Sequence, residues 1–295
     1  MAASSSLIQV FFSQVLPFST GAIALTGSIT NSISLSYFIR KGERTLTNRN
    51  FMFLNVSDLL VSVVIIAVVT FYHCGGSMCG RSSPYYRVAI GIFDVFLNGT
   101  AFATCLLSVT RTVSLCFPFY QISKKAVGVA AMIFVLEEIV KLLLGFYFYY
   151  TSKSGFPMFN NFENGLMITS LATLSAINLI SSVISAWKLL KIQKQLGVAQ
   201  CKDQAPRPNT NRKATVTILL VAVIASFFNI NSAVFFYDFQ FGGYSLTNKN
   251  MANMMIGNFT LWIATPLNSS INPIIYFTRK KDMRKYIKSL FYKSQ

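Results

Sequence analysis

The stretch NSSINPIIY, residues Asn268–Tyr276, lies near the end of the last long apolar segment of the chain. Proline has no backbone N–H, so inside a helix Pro273 leaves a carbonyl that another group must satisfy where no water is present. Asn272, directly before it, adds a side-chain amide that can form hydrogen bonds. The stretch therefore predicts a membrane helix that is interrupted at Pro273 and makes polar contacts with other helices. An ordinary kinked helix that carries these residues by chance is the alternative interpretation.

Six other apolar segments precede this one, and each is long enough to cross about 30 Å of hydrocarbon as a helix. The predicted spans are 15–39, 50–72, 84–117, 126–150, 165–190, 213–238 and 251–277. Residues 279–292 then alternate basic and apolar side chains at helical spacing, which predicts an amphipathic helix along the membrane surface. We therefore expect an all-α membrane protein, a single domain over residues 1–295, with seven transmembrane helices and a short amphipathic eighth helix.

Charged residues make up only 12% of the 295 residues, against about 25% in a typical soluble domain. The net charge of +17 is concentrated in alternate connectors, at 40–49, 124–125, 188–213 and 279–293. This distribution follows the positive-inside rule, whereas a nucleic-acid-binding protein carries its basic residues on a soluble face. We therefore expect the lipid bilayer, and no nucleic acid, as a partner.

Two of the spans contain ionisable residues that are costly in a membrane and are functional candidates for that reason. Asp58 lies in the middle of the second span, and a purely structural hydrogen-bonded network is the alternative interpretation. In the fourth span, Glu137, Glu138 and Lys141 lie three and four residues apart on one helical face. They form either an intrahelical ion pair or a polar contact with the second or third span.

The chain has five cysteines and one histidine, and they do not form a catalytic or metal-binding set. Cys74 and Cys79 are the only cysteines expected outside the cell, where they either bridge each other or remain thiols. His73 lies beside them, but a zinc site needs about four ligands. Because nucleophiles, metal ligands and glycine-rich phosphate loops are all missing, we do not expect an enzyme.

Four positions along the chain resemble the motifs of rhodopsin-like (class A) G-protein-coupled receptors. Asn31 matches the asparagine of the family's first helix, and Asp58 matches the aspartate of the second. Arg111 matches the arginine of the third helix, and Asn272–Tyr276 match the NPxxY motif of the seventh. The resemblance covers nearly the whole chain. The sixth span lacks the family's tryptophan and proline, and the second outer loop lacks its cysteine. The resemblance is therefore to a divergent member.

The resemblance implies a sodium site and a coupling site. In the family, the aspartate of the second helix lies in a polar cluster that binds sodium, and the matching positions here are Asp58, Thr100, Asn268, Ser269 and Asn272. Activation and coupling to a heterotrimeric G protein involve the residues that match Arg111, Asn272, Pro273 and Tyr276. Thr110 stands where the family has an acid that restrains the arginine, which predicts signalling without ligand unless another group restrains Arg111. Arg111 could instead simply extend to the membrane interface.

A ligand pocket is expected on the inward face of the third span. With Arg111 taken as inward, the residues within about 40–60° of it at 100° per residue are Tyr86, Ile90, Phe93, Leu97 and Thr104. Asp94 lies at the edge of this face, one position after the aspartate of the family's amine receptors, so an aminergic ligand is not expected. Phe227 and Trp262 complete an aromatic pocket for a small molecule or a peptide side chain. Aromatic residues at the membrane interface are the alternative.

The leading functional hypothesis is a plasma-membrane receptor that couples an extracellular neuropeptide or small chemosensory molecule to a G protein. The second hypothesis is a transporter of a small molecule, which would predict internal repeats and broken helices in matched positions. The sequence contains neither. Choosing between neuropeptide and chemosensory ligands requires a ligand screen.

The distribution of basic residues predicts that the N-terminus is outside the cell and the C-terminus is in the cytosol. An epitope tag at the N-terminus should therefore be stained on intact cells. A tag at the C-terminus should be stained only after permeabilisation. Staining of the C-terminal tag on intact cells would contradict the predicted topology.

Overall fold

The computed structural model describes residues 15–42, 45–73, 84–120, 122–151, 156–199, 210–241 and 263–291. All regular elements within these ranges are helices, as the sequence predicts. In chain order they are α1 (Leu16–Lys41), α2 (Leu46–His73), α3 (Pro84–Cys116), α4 (Lys124–Thr151), α5 (Phe156–Ala199), α6 (Thr210–Phe241), α7 (Thr265–Arg279) and α8 (Lys281–Phe291).

The observed helices coincide with the predicted ones, with the largest difference at α5. This helix has 44 residues and extends beyond the predicted span 165–190 at both ends. Its second residue, Pro157, fits the first turn of a helix, where no N–H donor is needed. The prediction followed the apolar residues, whereas the helix continues into polar sequence. Residues 251–262 of the last predicted span lie outside the described residues.

Five of the described helices are long and apolar enough to cross a membrane, namely α1, α2, α3, α5 and α6. They indicate a multi-pass membrane protein. The two other predicted spans, in α4 and α7, do not meet these criteria of length and hydropathy, each for its own reason. In α4, the charges of Glu137, Glu138 and Lys141 interrupt the apolar sequence at the middle of the helix, and α7 has only 15 described residues.

The helices form a bundle in which α3 has a central position. It packs against α2, α4, α5 and α6, whereas α4 packs against α3 and α5 at the edge. On the other side, α7 packs against α1, α2 and α6 and thereby closes the bundle. The short α8 lies against α7 and α1, with the side chain of Met283 fully buried.

The helix surfaces show the distribution expected of a protein surrounded by lipid. On α6, small and polar residues such as Ala222, Ser226 and Asn229 are buried, whereas apolar residues such as Val223 and Val234 are exposed. Small side chains let helices approach closely, and exposed apolar side chains contact hydrocarbon. Polar residues are therefore directed into the bundle.

At Gly27, α1 approaches its neighbours closely. A Cβ atom at this position would lie 2.5 Å from Ser270 Oγ on α7 and 2.7 Å from Ser62 Oγ on α2. Both distances are too short for a carbon atom, so a larger residue requires the two serine side chains or their helices to move. At Gly21, in the same helix, a Cβ atom would have no neighbour within 4 Å.

We expect Gly27→Ala to lower the melting temperature of the detergent-purified protein, because overpacking of this kind costs about 1–3 kcal/mol. The matched control is Gly21→Ala, which should leave the melting temperature unchanged or raise it, since alanine favours a helix by up to about 1 kcal/mol over glycine. A thermal melt followed by size-exclusion detection measures both. Equal melting temperatures for the two variants would show that α1 is not tightly packed at Gly27.

Candidate functional site: a buried polar network

The centre of the network is the carboxylate of Asp58, which is completely buried in the middle of α2. Thr100 of α3 donates a hydrogen bond to Oδ1 at 3.0 Å, and the amide of Asn272 on α7 donates to Oδ2 at 2.8 Å. Ser269 of α7 is also buried and interacts electrostatically with the carboxylate. One carboxylate thus connects three helices, and it connects residues that the sequence analysis assigned to the same site.

A second link involves the backbone carbonyl that Pro273 leaves without a donor. This carbonyl belongs to Ser269, four residues earlier, and the side-chain amide of Asn31 on α1 donates to it at 3.0 Å. The same amide donates to the carbonyl of Gly27 at 2.9 Å, so both of its hydrogens are used. The polar contact predicted for the interrupted helix is therefore made by α1, and it gives the Asn31 side chain a defined role.

The network also holds buried oxygen atoms that have no hydrogen-bond partner among the described residues. Four of them belong to residues of α1 and α7, namely Asn31 Oδ1, Asn268 Oδ1, Asn272 Oδ1 and Tyr276 Oη. A buried polar atom without a partner is costly, so such atoms indicate room for a bound ion or for ordered water.

These oxygen atoms and the Asp58 carboxylate suit a cation with a single charge. Hard cations prefer carboxylate and carbonyl oxygen ligands, and a single carboxylate balances one positive charge. The described residues contain no group of three His, Cys, Asp or Glu side chains that would hold a zinc or transition-metal ion. The residues present therefore fit the sodium ion that the sequence resemblance implies, with Asn268 buried close by on α7 rather than bonded to the carboxylate.

If Asp58 binds sodium, the ion should stabilise the folded protein, because a ligand that binds only the folded state raises its stability by mass action. We expect the melting temperature of the purified protein to be higher in sodium chloride than in N-methylglucamine chloride at equal ionic strength. Asp58→Asn should remove this difference. A native protein that melts at the same temperature in both salts would exclude a sodium site of useful affinity.

Arg111, near the end of α3, is bonded to α6. Its Nε donates to Thr215 Oγ1 at 2.7 Å, and its Nη2 donates to the same oxygen. The neighbouring Thr110 faces α2 instead, where it accepts a hydrogen bond from Asn50 at 3.1 Å. Sequence reasoning considered Thr110 as the replacement for the acid that usually restrains this arginine, but the observed partner is Thr215, which it did not identify.

The sequence analysis also missed a polar connection between α3, α5 and α6. Asn178 of α5 accepts a hydrogen bond from Ser108 of α3, and its amide donates to Ser226 Oγ at 2.8 Å and to the carbonyl of Ala222 at 2.9 Å on α6. A signal was present, since buried polar residues recur on α5 three or four positions apart, at Ser175, Asn178, Ser181, Ser182 and Ser185. This regular spacing marks the face of α5 that is directed into the bundle.

Tyr276 lies at the end of the bundle that carries α8. Its ring is fully buried against Phe51 and Phe38, at centroid distances of 4.8 and 6.1 Å. The Lys280 ammonium lies 4.4 Å from the Phe38 ring centroid, and Tyr286 of α8 forms a hydrogen bond with Ser36 on α1. The predicted amphipathic helix is therefore attached through aromatic and apolar contacts.

The predicted ligand pocket is only partly brought together. Phe93 and Leu97 are buried in an apolar cluster between the helices, as expected, but Asp94 lines a small cavity beside α4. Phe227 was assigned to the pocket wrongly. Its side chain is 62% exposed and meets the Phe228 ring edge to face, at a centroid distance of 5.6 Å. The residue was placed by analogy with the family's sixth helix, whereas the rotation of α6 directs Ser226 and Asn229 inward.

Several predicted residues lie outside the part of the chain that the structure describes. They are the side chains of Tyr86 and Ile90, and also Trp262, Cys74 and Cys79, together with the side chain of His73. For Cys74 and Cys79 the two alternatives, a disulfide and two thiols, therefore both stay open, and the outer part of the ligand pocket stays a prediction.

The charged residues of α4 satisfy both interpretations offered from the sequence. Lys141 Nζ lies 2.8 Å from Glu137 Oε1 and 2.9 Å from Glu138 Oε1, so the ion pair is intrahelical. Glu138 is also within 3.4 Å of the amide of Asn98 on α3. This contact with the third span crosses between helices.

Comparison with known proteins finds no matching family model and no matching curated protein. The functional hypothesis therefore depends on the residues of this chain and on the contacts between them.

Proposed function

We propose that the chain is a divergent rhodopsin-like G-protein-coupled receptor with seven transmembrane helices, located in the plasma membrane. In this proposal α4 and α7 are the two remaining spans, since the polar side chains of both can be satisfied by neighbouring helices. The five other spans, α1, α2, α3, α5 and α6, follow from length and hydropathy alone. The function is the coupling of an extracellular neuropeptide or small chemosensory molecule to a heterotrimeric G protein.

The observation that carries the proposal is the convergence of residues from different helices on one buried network. Asn31, Asp58 and Asn272 were each selected for their separate resemblance to a receptor motif. In the structure the Asn31 amide donates to the Ser269 carbonyl of α7, and the amide of Asn272, in the same helix, donates to the Asp58 carboxylate. A chance occurrence of single motifs would not place them in contact across the bundle.

The contact between Arg111 and Thr215 supplies the element that can respond to a ligand. It holds α6 against α3 at the end of the bundle that the positive-inside rule assigns to the cytosol. Movement of α6 away from α3 would break the contact and release the guanidinium toward a G protein. A ligand shifts this equilibrium only by its different affinity for the two states. Sodium at Asp58 would favour the closed, inactive state.

We expect Thr215→Val to raise nucleotide exchange on a co-expressed G protein in the absence of ligand. A hydrogen bond to a charged group contributes about 1.5–3 kcal/mol, and about 1.4 kcal/mol corresponds to a tenfold change in an equilibrium. The basal rate should therefore rise by about tenfold or more at matched surface expression. Arg111→Ala should impair coupling without removing the protein from the surface.

The matched control is Thr20→Val on α1, the same substitution at a buried threonine whose hydroxyl donates to the carbonyl of Leu16 in its own helix, at 2.7 Å. It should leave the basal rate near that of the native protein. Because Thr110 faces Asn50, Thr110→Asp should lower the basal rate only if the new carboxylate reaches Arg111. Equal rates for Thr215→Val and Thr20→Val would exclude the proposed restraint. A chain that never stimulates exchange but accumulates a solute would instead be a transporter.

A further inference from the structure

A crevice of about 500 Å³ lies between α3, α4 and α5, away from the Asp58 network. Its apolar wall is built on Phe102 of α3 and Phe134 of α4, whose rings stack in parallel with centroids 4.3 Å apart. Exposed Ile133 forms part of the rim, so the crevice opens toward the lipid. Its volume lies in the range of about 300–1,000 Å³ that is typical of sites for small molecules.

The polar side of the crevice carries a charge that is not fully balanced. Glu137 lines it, and the side chain of this residue is 55% exposed, whereas Glu138 is buried against α3. Both carboxylates share the single ammonium of Lys141, at 2.8 and 2.9 Å, so the three residues carry a net charge of −1. They lie at the middle of the 28 residues of α4.

A net negative charge at this depth is costly, and a cation in the crevice would reduce the cost. Opposite Glu137, α5 contributes the hydroxyls of Thr169, Ser170 and Thr173 to the lining. A hydroxyl that donates to its own helix, as Thr169 does to Gly165 at 2.8 Å, can still accept a hydrogen bond. The crevice therefore combines an anion and several acceptors with an aromatic wall.

We propose that this crevice binds a lipophilic amine that enters from the bilayer. The protonated amine would lie against the exposed carboxylate of Glu137 and donate to hydroxyls of α5. Its hydrocarbon body would pack on Phe102 and Phe134. The site is separate from the ligand pocket expected inside the bundle, and its occupation does not depend on coupling to a G protein.

The test uses the full-length protein in phosphatidylcholine nanodiscs and two photoreactive probes, a diazirine-bearing dodecylamine and the corresponding dodecanol. At pH 7 the amine is protonated, since alkylamines titrate at about 10.4. The probe concentration that gives half-saturation of labelling is expressed as a mole fraction in the bilayer. A difference in how the two probes partition into the bilayer therefore does not contribute. We expect the amine to label α4 and α5 at a half-saturation at least about tenfold lower than that of the alcohol.

In Glu137→Gln, the two probes should label with equal half-saturation, while labelling by the alcohol stays at the native value. Ser170→Phe keeps all charges of α4 but fills the crevice, so it should reduce labelling by both probes and serves as an independent test. The proposal is overturned if the native protein labels equally with amine and alcohol, as expected of a crevice filled by lipid. It is also overturned if the amine labels helices other than α3, α4 and α5, or keeps its preference in Glu137→Gln.

Discussion

The interior of a bilayer offers no water to a buried polar group, and this constraint organises the whole bundle. Asp58 and the carbonyl that Pro273 leaves without a donor would each be costly alone. They are satisfied by side chains of other helices, through Thr100, Asn272 and Asn31. At these positions a polar residue in the middle of a helix thus becomes a link between helices. The positions of α1, α2, α3 and α7 relative to one another follow from a small number of such links.

The same constraint has a different result on the side of α5 and α6. There the links are made by neutral groups, such as the amide of Asn178 with Ser226, and by one charged group, Arg111 with Thr215. A hydrogen bond from a guanidinium to a hydroxyl is weaker than an ion pair with a carboxylate. The α1–α2–α7 side is therefore joined through a buried carboxylate, whereas α6 is held by contacts that are easier to break. In the proposed function α6 is the helix that moves, and this difference fits that proposal.

Among the described residues, the fourth helix packs mainly against two neighbours, α3 and α5. With fewer neighbours, it cannot direct all of its charged residues into the bundle. Glu138 reaches Asn98 of α3, but Glu137 remains at the crevice and shares Lys141 with it. A helix at the edge of a bundle can therefore carry a charge at the lipid boundary, where a ligand dissolved in the membrane can meet it.

The sequence by itself determined the helical class, the approximate limits of the helices and the importance of Asp58, Asn31 and Pro273. Long apolar segments and costly polar residues are local properties, so they can be read without coordinates. The tertiary structure alone decided that Arg111 is bonded to Thr215, 104 residues away, and that Phe227 lies on the surface. Both depend on the rotation of α6 about its axis and on its position along α3. Hydropathy does not define these quantities, because they result from packing against several helices at once.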